Sequence, residues 1–254
     1  MNKIILADNF QHLDAFVSDI DNIFNGAGEE IHSGRNVLKV FKENDVELCV
    51  KSFGKPTLAN TFIYSYIRQS KAERSFKYAQ KLLGLGIHTP KPVAYVEVCN
   101  HLGILQRSYY ISLYDRINYT MSTVLDESVP NKKLILEGFV KFMINDLHAK
   151  GVYHKDFNGG NVLVTKNIDS SYTYTLVDLN RISFSKAIAF HKGLRNLHAI
   201  SSNPMYLAEL AHYYSVHHKE DTDETIYELL LVKYLNNIQR RYTKRILHSF
   251  KSIL

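Results

Sequence analysis

The chain reads as a two-lobed α+β protein, a small antiparallel sheet with one helix followed by a larger, mainly helical lobe. Three observations predict this. Apolar residues alternate or cluster at strand spacing over residues 29–53, and they switch to helical spacing over 70–86 and 132–150. A loop rich in Gly and Asn, His154 to Asn161, then separates the second helix from two short apolar strands. The pattern divides the chain into an N-terminal helical extension, residues 1–28, a sheet lobe, 29–116, and a helical lobe, 117–254.

Each element has its own signal. In the extension, Phe10, Leu13, Phe16, Val17 and Ile20 recur at helical spacing. Strands over 29–33, 36–42 and 46–53 are separated by Gly34-Arg35 and by the polar turn Glu43-Asn44-Asp45, so they form a three-strand meander. Helix 70–86 places Phe76, Ala79, Leu82 and Leu83 on one face and stops near Gly84 and Gly86. Ser70 and Glu73 fit the S-x-x-E capping box at its start; if the helix begins earlier, in 62–69, Glu73 lies mid-helix. Residues 88–98 read as a proline-bounded entry to a strand, and 108–116 is the last strand of the sheet lobe and the connection onward. Helix 132–150 carries Leu136, Phe139, Val140, Met143 and Leu147 in register and ends at Gly151. The strands 162–165 and 174–177 make a hairpin.

The chemistry is concentrated in that last region. His154-Lys155-Asp156 followed by Asn161 has the spacing H-x-D-x-x-x-x-N, with Gly159 and Gly160 permitting a sharp backbone path. An aspartate in this place can accept the proton of an attacking hydroxyl, and an asparagine carbonyl oxygen is a hard ligand suited to Mg²⁺. Asp178, at the far end of the hairpin in LVDLN, is a second candidate for the metal. Asp, Asn and Gly are also ordinary turn residues. A preceding helix, a following hairpin and an aspartate at its end together favour phosphoryl transfer over plain turn chemistry. His154 is expected to hold the backbone, and Lys155 faces either solvent or a phosphate. In the sheet lobe, Lys51 sits between Val50 and Phe53, a lysine that must be placed on purpose or reach for the surface. The turn at Gly34 and Arg35 can cradle phosphate with backbone amides and one guanidinium, or be a plain hairpin.

Composition sets the limits. With 254 residues and 45% hydrophobic content the chain can fill a real core, and 31 basic against 25 acidic residues give a net charge of +6. That charge is too mild to expect nucleic acid, yet it suits an anionic substrate or membrane surface. Cys49 and Cys99 lack the spacing of a zinc site or disulfide framework, which points to a reducing compartment. No signal peptide or membrane span is evident, so the expectation is a cytoplasmic protein. His212, His217 and His218 lack the cysteine or acidic companions of a metal site.

The segments RNVLKVF, LCVKSF, SKAERSFKYAQKLL, TPKPVAYVE, SYYIS, HKDFNGGNVLV and LVDLNRISF together resemble the bacterial lipopolysaccharide kinases, over roughly residues 30 to 200. The resemblance implies a protein-kinase-like fold and ATP- and Mg²⁺-dependent phosphorylation of an inner-core sugar, Kdo or heptose, of the lipopolysaccharide glycolipid. It also implies Asp156 as base, Asn161 and Asp178 as Mg²⁺ ligands, and Lys51 on the α- and β-phosphates. Glu73 becomes the helix glutamate that would orient Lys51, with the capping box as its competing role. Arg181, beside the metal aspartate, would meet negative charge on the acceptor. The departures are DLN in place of DFG, no A-P-E segment, and Asn158 where protein kinases commonly carry a lysine. An antibiotic-type small-molecule kinase and a nucleotide-binding pseudokinase are the alternatives. The C-terminal helix, with Tyr242 and Ile246 among Arg240, Arg241, Lys244 and Arg245, suits either a solvated lobe helix or a peripheral contact on the inner face of the inner membrane.

Overall fold

The computed structural model describes residues 2–54 and 69–251, with side chains to residue 246. The chain divides into two compact units, Met1–Arg116 with Thr175–Asn180, and Ile117–Tyr174 with Arg181–Leu254. The stretch after the hairpin, expected within the helical lobe, thus belongs to the sheet unit.

The first unit is built on a six-stranded sheet. Its strands are β1 (Lys3–Leu6), β2 (Glu29–His32), β3 (Asn36–Glu43), β4 (Val46–Phe53), β5 (Pro92–Cys99) and β6 (Leu105–Leu113), in the order β1-β5-β6-β4-β3-β2. All neighbours pair antiparallel. The meander β2-β3-β4 matches the sequence pattern, and its second turn places Asn44 and Asp45 at positive φ, a conformation these two residue types tolerate. On β4, Lys51 stands opposite Leu38 of β3 and Tyr110 of β6, in the middle of the sheet.

The N-terminal segment differs from its expectation. Residues 3–6 form an edge strand on β5, and only 8–26 are helical, in three short pieces. Its first residues alternate in exposure along the strand, and four residues are too few for helical spacing to show. The helical pieces are part of the sheet's core: Leu13, Val17, Ile20 and Phe24 pack with Leu48, Val50, Val96, Tyr109 and Ile111. Polar contacts fix them. Asp21 accepts hydrogen bonds from Arg107 Nη2 at 2.9 Å and from the Tyr109 hydroxyl at 2.8 Å, and Lys39 Nζ donates to the carbonyls of Phe24 and Ala27 at the helix end.

The helix Lys71–Gly84 starts where Ser70 accepts the Glu73 amide at 3.0 Å, so the capping geometry sets its first turn. An earlier start in 62–69 falls almost wholly outside the described residues. Ala72, Phe76, Ala79 and Leu82 are buried on one face, and Phe76 packs on Tyr95 of β5.

In the second unit the helix expected over 132–150 changes form. Lys132–Lys141 is α-helical, and Phe142–His148 widens to a π-helix. Phe142, Met143, Ile144, Leu147 and His148 are all buried, more than one face of a 3.6-residue helix can turn inward. Gly151 then reverses the chain at φ +72°, where a Cβ would strike the Ser185 carbonyl. Strand β8 (Val152–His154) pairs with β11 (Ile182–Phe184), and β9 (Val162–Lys166) lies between β7 (Tyr119–Thr120) and β10 (Tyr172–Leu176). Helices Phe190–Asn196, Pro204–His218 and Thr222–Lys251 complete the unit. No helix of the described residues is long and apolar enough to cross a membrane.

Because Phe24 is buried and its ring meets those of Phe41 and Tyr109, Phe24→Ala should cost about 3–5 kcal/mol in urea unfolding. A loss under about 1 kcal/mol would mean that the N-terminal segment is not part of the sheet's core.

Candidate active site

The loop after β8 is held from below by a chain of buried polar groups. His154 is fully buried, and its Nδ1 accepts the backbone amide of Asp156 at 3.1 Å. Its carbonyl accepts from Asn196 Nδ2 at 2.8 Å, and Asn196 Oδ1 lies 3.3 Å from His148 Nε2. Since an amide oxygen only accepts, His148 is the Nε2–H tautomer. Burial is the main force pushing the His148 imidazole down to about 4, against the Asn196 hydrogen bond and helped by His218 and Lys192. Its Nδ1 is buried without a partner, in the space left by Gly193. Thus the π-helix reaches Asp156 through three side chains.

From there the loop folds around one atom, the Asp156 carbonyl. Asn161 Nδ2 donates to it at 2.8 Å and Asn158 Nδ2 at 3.3 Å. Asn158 also caps the 3₁₀ turn Gly159–Asn161, its Oδ1 accepting the Gly160 amide at 3.0 Å. Asn at 158 therefore has a conformational job in the place where protein kinases carry a lysine. Phe157 anchors the loop by stacking on Phe139, at 5.7 Å between ring centroids. The two glycines work differently from expectation. Neither takes a positive φ; Gly159 is required because a Cβ there would lie 2.6 Å from Ser122 Oγ, whereas Gly160 would meet little. Close packing, not a special torsion angle, decides that position.

These contacts leave the Asp156 carboxylate partly exposed, with Arg181 Nη1 3.5 Å from its Oδ2. Lys155 is exposed, and its amide donates to the Arg181 carbonyl. With its nitrogen on the backbone, Asn161 offers Oδ1 as its ligand atom.

In the first unit, Lys51 Nζ lies 2.7 Å from Asp178 Oδ1, with the Lys51 side chain 14% exposed, a charge-assisted contact largely out of water. Asp178 takes a positive φ of 53°, and Asn180 Nδ2 donates to the same oxygen at 3.3 Å. Gly34 and Arg35 form the exposed turn between β2 and β3, and Gly34 has an ordinary φ, so no torsion requires glycine there. Cys49, two residues before Lys51, is pushed up to about 11 by burial and is a thiol at neutral pH.

Glu73 does not meet Lys51. Its carboxylate is held by Lys77 at 2.6 Å and Lys3 at 3.3 Å. Burial opposes its charge, yet the Lys77 hydrogen bond and the fields of Lys3 and Lys77 keep the carboxyl below its ordinary value. The cap explains the direction. Once Ser70 fixes the first turn, Glu73 points to the edge strand carrying Lys3, and the residue two positions earlier points elsewhere. That residue is Lys71, which the sequence reading passed over. Its ammonium and that of Lys51 lie 5.9 and 5.5 Å from the centre of the same Phe53 ring. The capping box was the signal that could have found it.

An amide oxygen such as Asn161 Oδ1 and a carboxylate such as that of Asp178 are each hard donors of the kind magnesium takes. No group of three or more His, Cys, Asp or Glu side chains that could hold a metal occurs among the described residues.

The profile of the lipopolysaccharide kinase (Kdo/WaaP) family matches residues 25–205. The chain belongs to that family. Phosphorylation of a lipopolysaccharide core sugar is accordingly its activity class. Among solved structures, one of WaaP in complex with acyl carrier protein aligns at a TM-score of 0.58 and 16% identity, covering 95% of this chain and 98% of that one. A Rio2 kinase complex with ADP, Mg²⁺ and phosphoaspartate from Chaetomium thermophilum aligns at 0.48 and 13% identity, over 89% of this chain and 77% of that one. The search of curated proteins returns no match.

Two outcomes test the loop. Gly159→Ala should cost about 1–3 kcal/mol of stability and lower turnover, while Gly160→Ala changes little, read by thermal melting and phosphate transfer. His148 is neutral when folded, so the unfolded chain binds the extra proton: stability is full above pH ~6.5 and falls on acidification towards about pH 4. Unfolding curves across that window should show a loss of roughly 3 kcal/mol at most, absent in His148→Gln.

Proposed function

We propose that this kinase transfers the γ-phosphate of ATP to a hydroxyl of the lipopolysaccharide inner-core sugar, Kdo or heptose, with Asp156 as general base. The observation that carries this reading is the placement of Asp156. Its backbone is fixed by the buried His154 and by two asparagine amides, while its carboxylate remains partly exposed and able to receive a proton. The acceptor hydroxyl oxygen bonds to the γ-phosphorus, its proton passes to the Asp156 carboxylate, and ADP leaves. Arg181, 3.5 Å from that carboxylate, faces the acceptor's anionic groups. Asn161 Oδ1 and the Asp178 carboxylate are the oxygens that would hold Mg²⁺, which would supply charge neutralisation at the phosphates. Lys51 holds the α- and β-phosphates, and its contact with Asp178 keeps the ammonium extended from the sheet.

The acceptor is part of a glycolipid, and the C-terminal helix supports a place at the inner face of the inner membrane. Tyr242 is 62% and Ile246 55% exposed, among exposed Arg240, Arg241 and Lys244. Apolar side chains between cations suit an anionic headgroup layer.

The deciding experiment is transfer of labelled γ-phosphate to purified Kdo–lipid A and to heptose-bearing core. Asp156→Asn should retain nucleotide binding and lose about 10²–10⁴-fold in turnover. Asp178→Asn should weaken Mg²⁺-dependent ATP binding itself. Near-full activity of Asp156→Asn would refute the base assignment, and ATP binding without any transfer would point to a pseudokinase.

A further inference from the structure

The sheet lysine is not the only cation at its end of the first unit. Lys71, at the first turn of the capped helix, has no carboxylate within ion-pairing distance among the described residues, and it shares the Phe53 ring with Lys51. The charges of Arg35, on the β2–β3 turn, of the buried Arg74, one turn on from Lys71, and of Lys51 all bear on it, and that of Asp178 opposes them. Burial lowers the Lys71 ammonium first, and the fields of Arg35 and Arg74 lower it further. Like charges bear on a partly desolvated lysine, which has a folding cost that Glu73, turned towards Lys3 and Lys77, does nothing to relieve. A multiply charged anion removes that cost.

We propose that Lys71 is a second phosphate-binding lysine, acting with Lys51 and Arg35 on the polyphosphate of the nucleotide. The helix thus presents a cation to the ligand in the place where a helix carboxylate would otherwise pair with the sheet lysine. This rests on the kinase reading above and adds a residue to its nucleotide site. The consequence is a site whose affinity rises steeply with phosphate number, because each added phosphate meets another positive charge.

The test is titration of the full chain, with Mg²⁺, by adenosine, AMP, ADP and a non-hydrolysable ATP analogue. In Lys71→Ala, affinity for ADP and the ATP analogue should fall about tenfold or more, the loss growing with phosphate number, while adenosine binding is unchanged. Lys71→Arg should restore most of it. Lys77→Ala, which removes an equal charge from the exposed side of the same helix, should not reproduce the loss. Equal nucleotide affinity in wild type and Lys71→Ala, with melting curves showing both folded, would overturn the proposal alone. So would unchanged nucleotide affinity with a raised KM for the glycolipid, which would assign Lys71 to a phosphate on the acceptor. Failure of the wild type to bind any nucleotide would overturn the kinase reading and this inference with it.

Discussion

The hydrogen bond from the Asp156 amide to the buried His154 imidazole is the constraint on which the second unit's chemistry depends. It is supported from behind by Asn196 and His148, so the loop's position is set by the packing of the helical unit and not by the loop's own residues. Buried polar chains of this kind are stable only when their members are matched, because an unpaired group in low dielectric is costly. Burial keeps the His148 imidazole neutral, the Asn196 oxygen at Nε2 sets its tautomer, and its Nδ1 has no partner among the described residues. The same burial that orders the loop makes the unit sensitive to acid.

The two units solve different electrostatic problems. In the helical unit the Asp156 carboxylate is left partly exposed, and Arg181 is the one cation beside it among the described contacts. In the sheet unit the difficulty is a gathering of positive charge, in which Lys51 is in direct contact with Asp178. A site for phosphate can tolerate such a gathering because its ligand supplies the missing anions. Glu73 illustrates how local geometry diverts a residue from an expected partner. A cap at Ser70 sets the helix start, and the helix start sets the direction of every side chain in its first turn.

The N-terminal segment shows a related economy. Residues 3–6 pair with β5 and become the sheet edge themselves, so that the edge is a strand of only four residues. The helical pieces that follow cover the apolar face of the sheet, so that Ile20 and Phe24 share one core with Val50 and Ile111 beside the functional lysine. Support of Lys51 by the strands on both sides of β4 would limit the entropy lost in holding a ligand there, as proposed above.

Much was legible in the sequence because it is written locally. Strand alternation over 29–53, the capping box at Ser70 and the H-x-D-x-x-x-x-N spacing each depend on residues near one another in the chain; the strands and the Ser70 half of the box appear where they were read, whereas the Glu73 carboxylate turns to Lys77 and Lys3. Gly159 was legible as necessary, but its reason lay in Ser122, thirty-seven residues earlier, and only packing could reveal it. The tertiary structure decided what depends on distant partners: that residues 3–6 pair with β5, that the helix after Lys141 widens, that Asn196 links two histidines, and that Glu73 turns to Lys3. Spacing along a chain specifies which side chains share a face, whereas the partner across from that face is settled by long-range packing, which no short window of sequence contains.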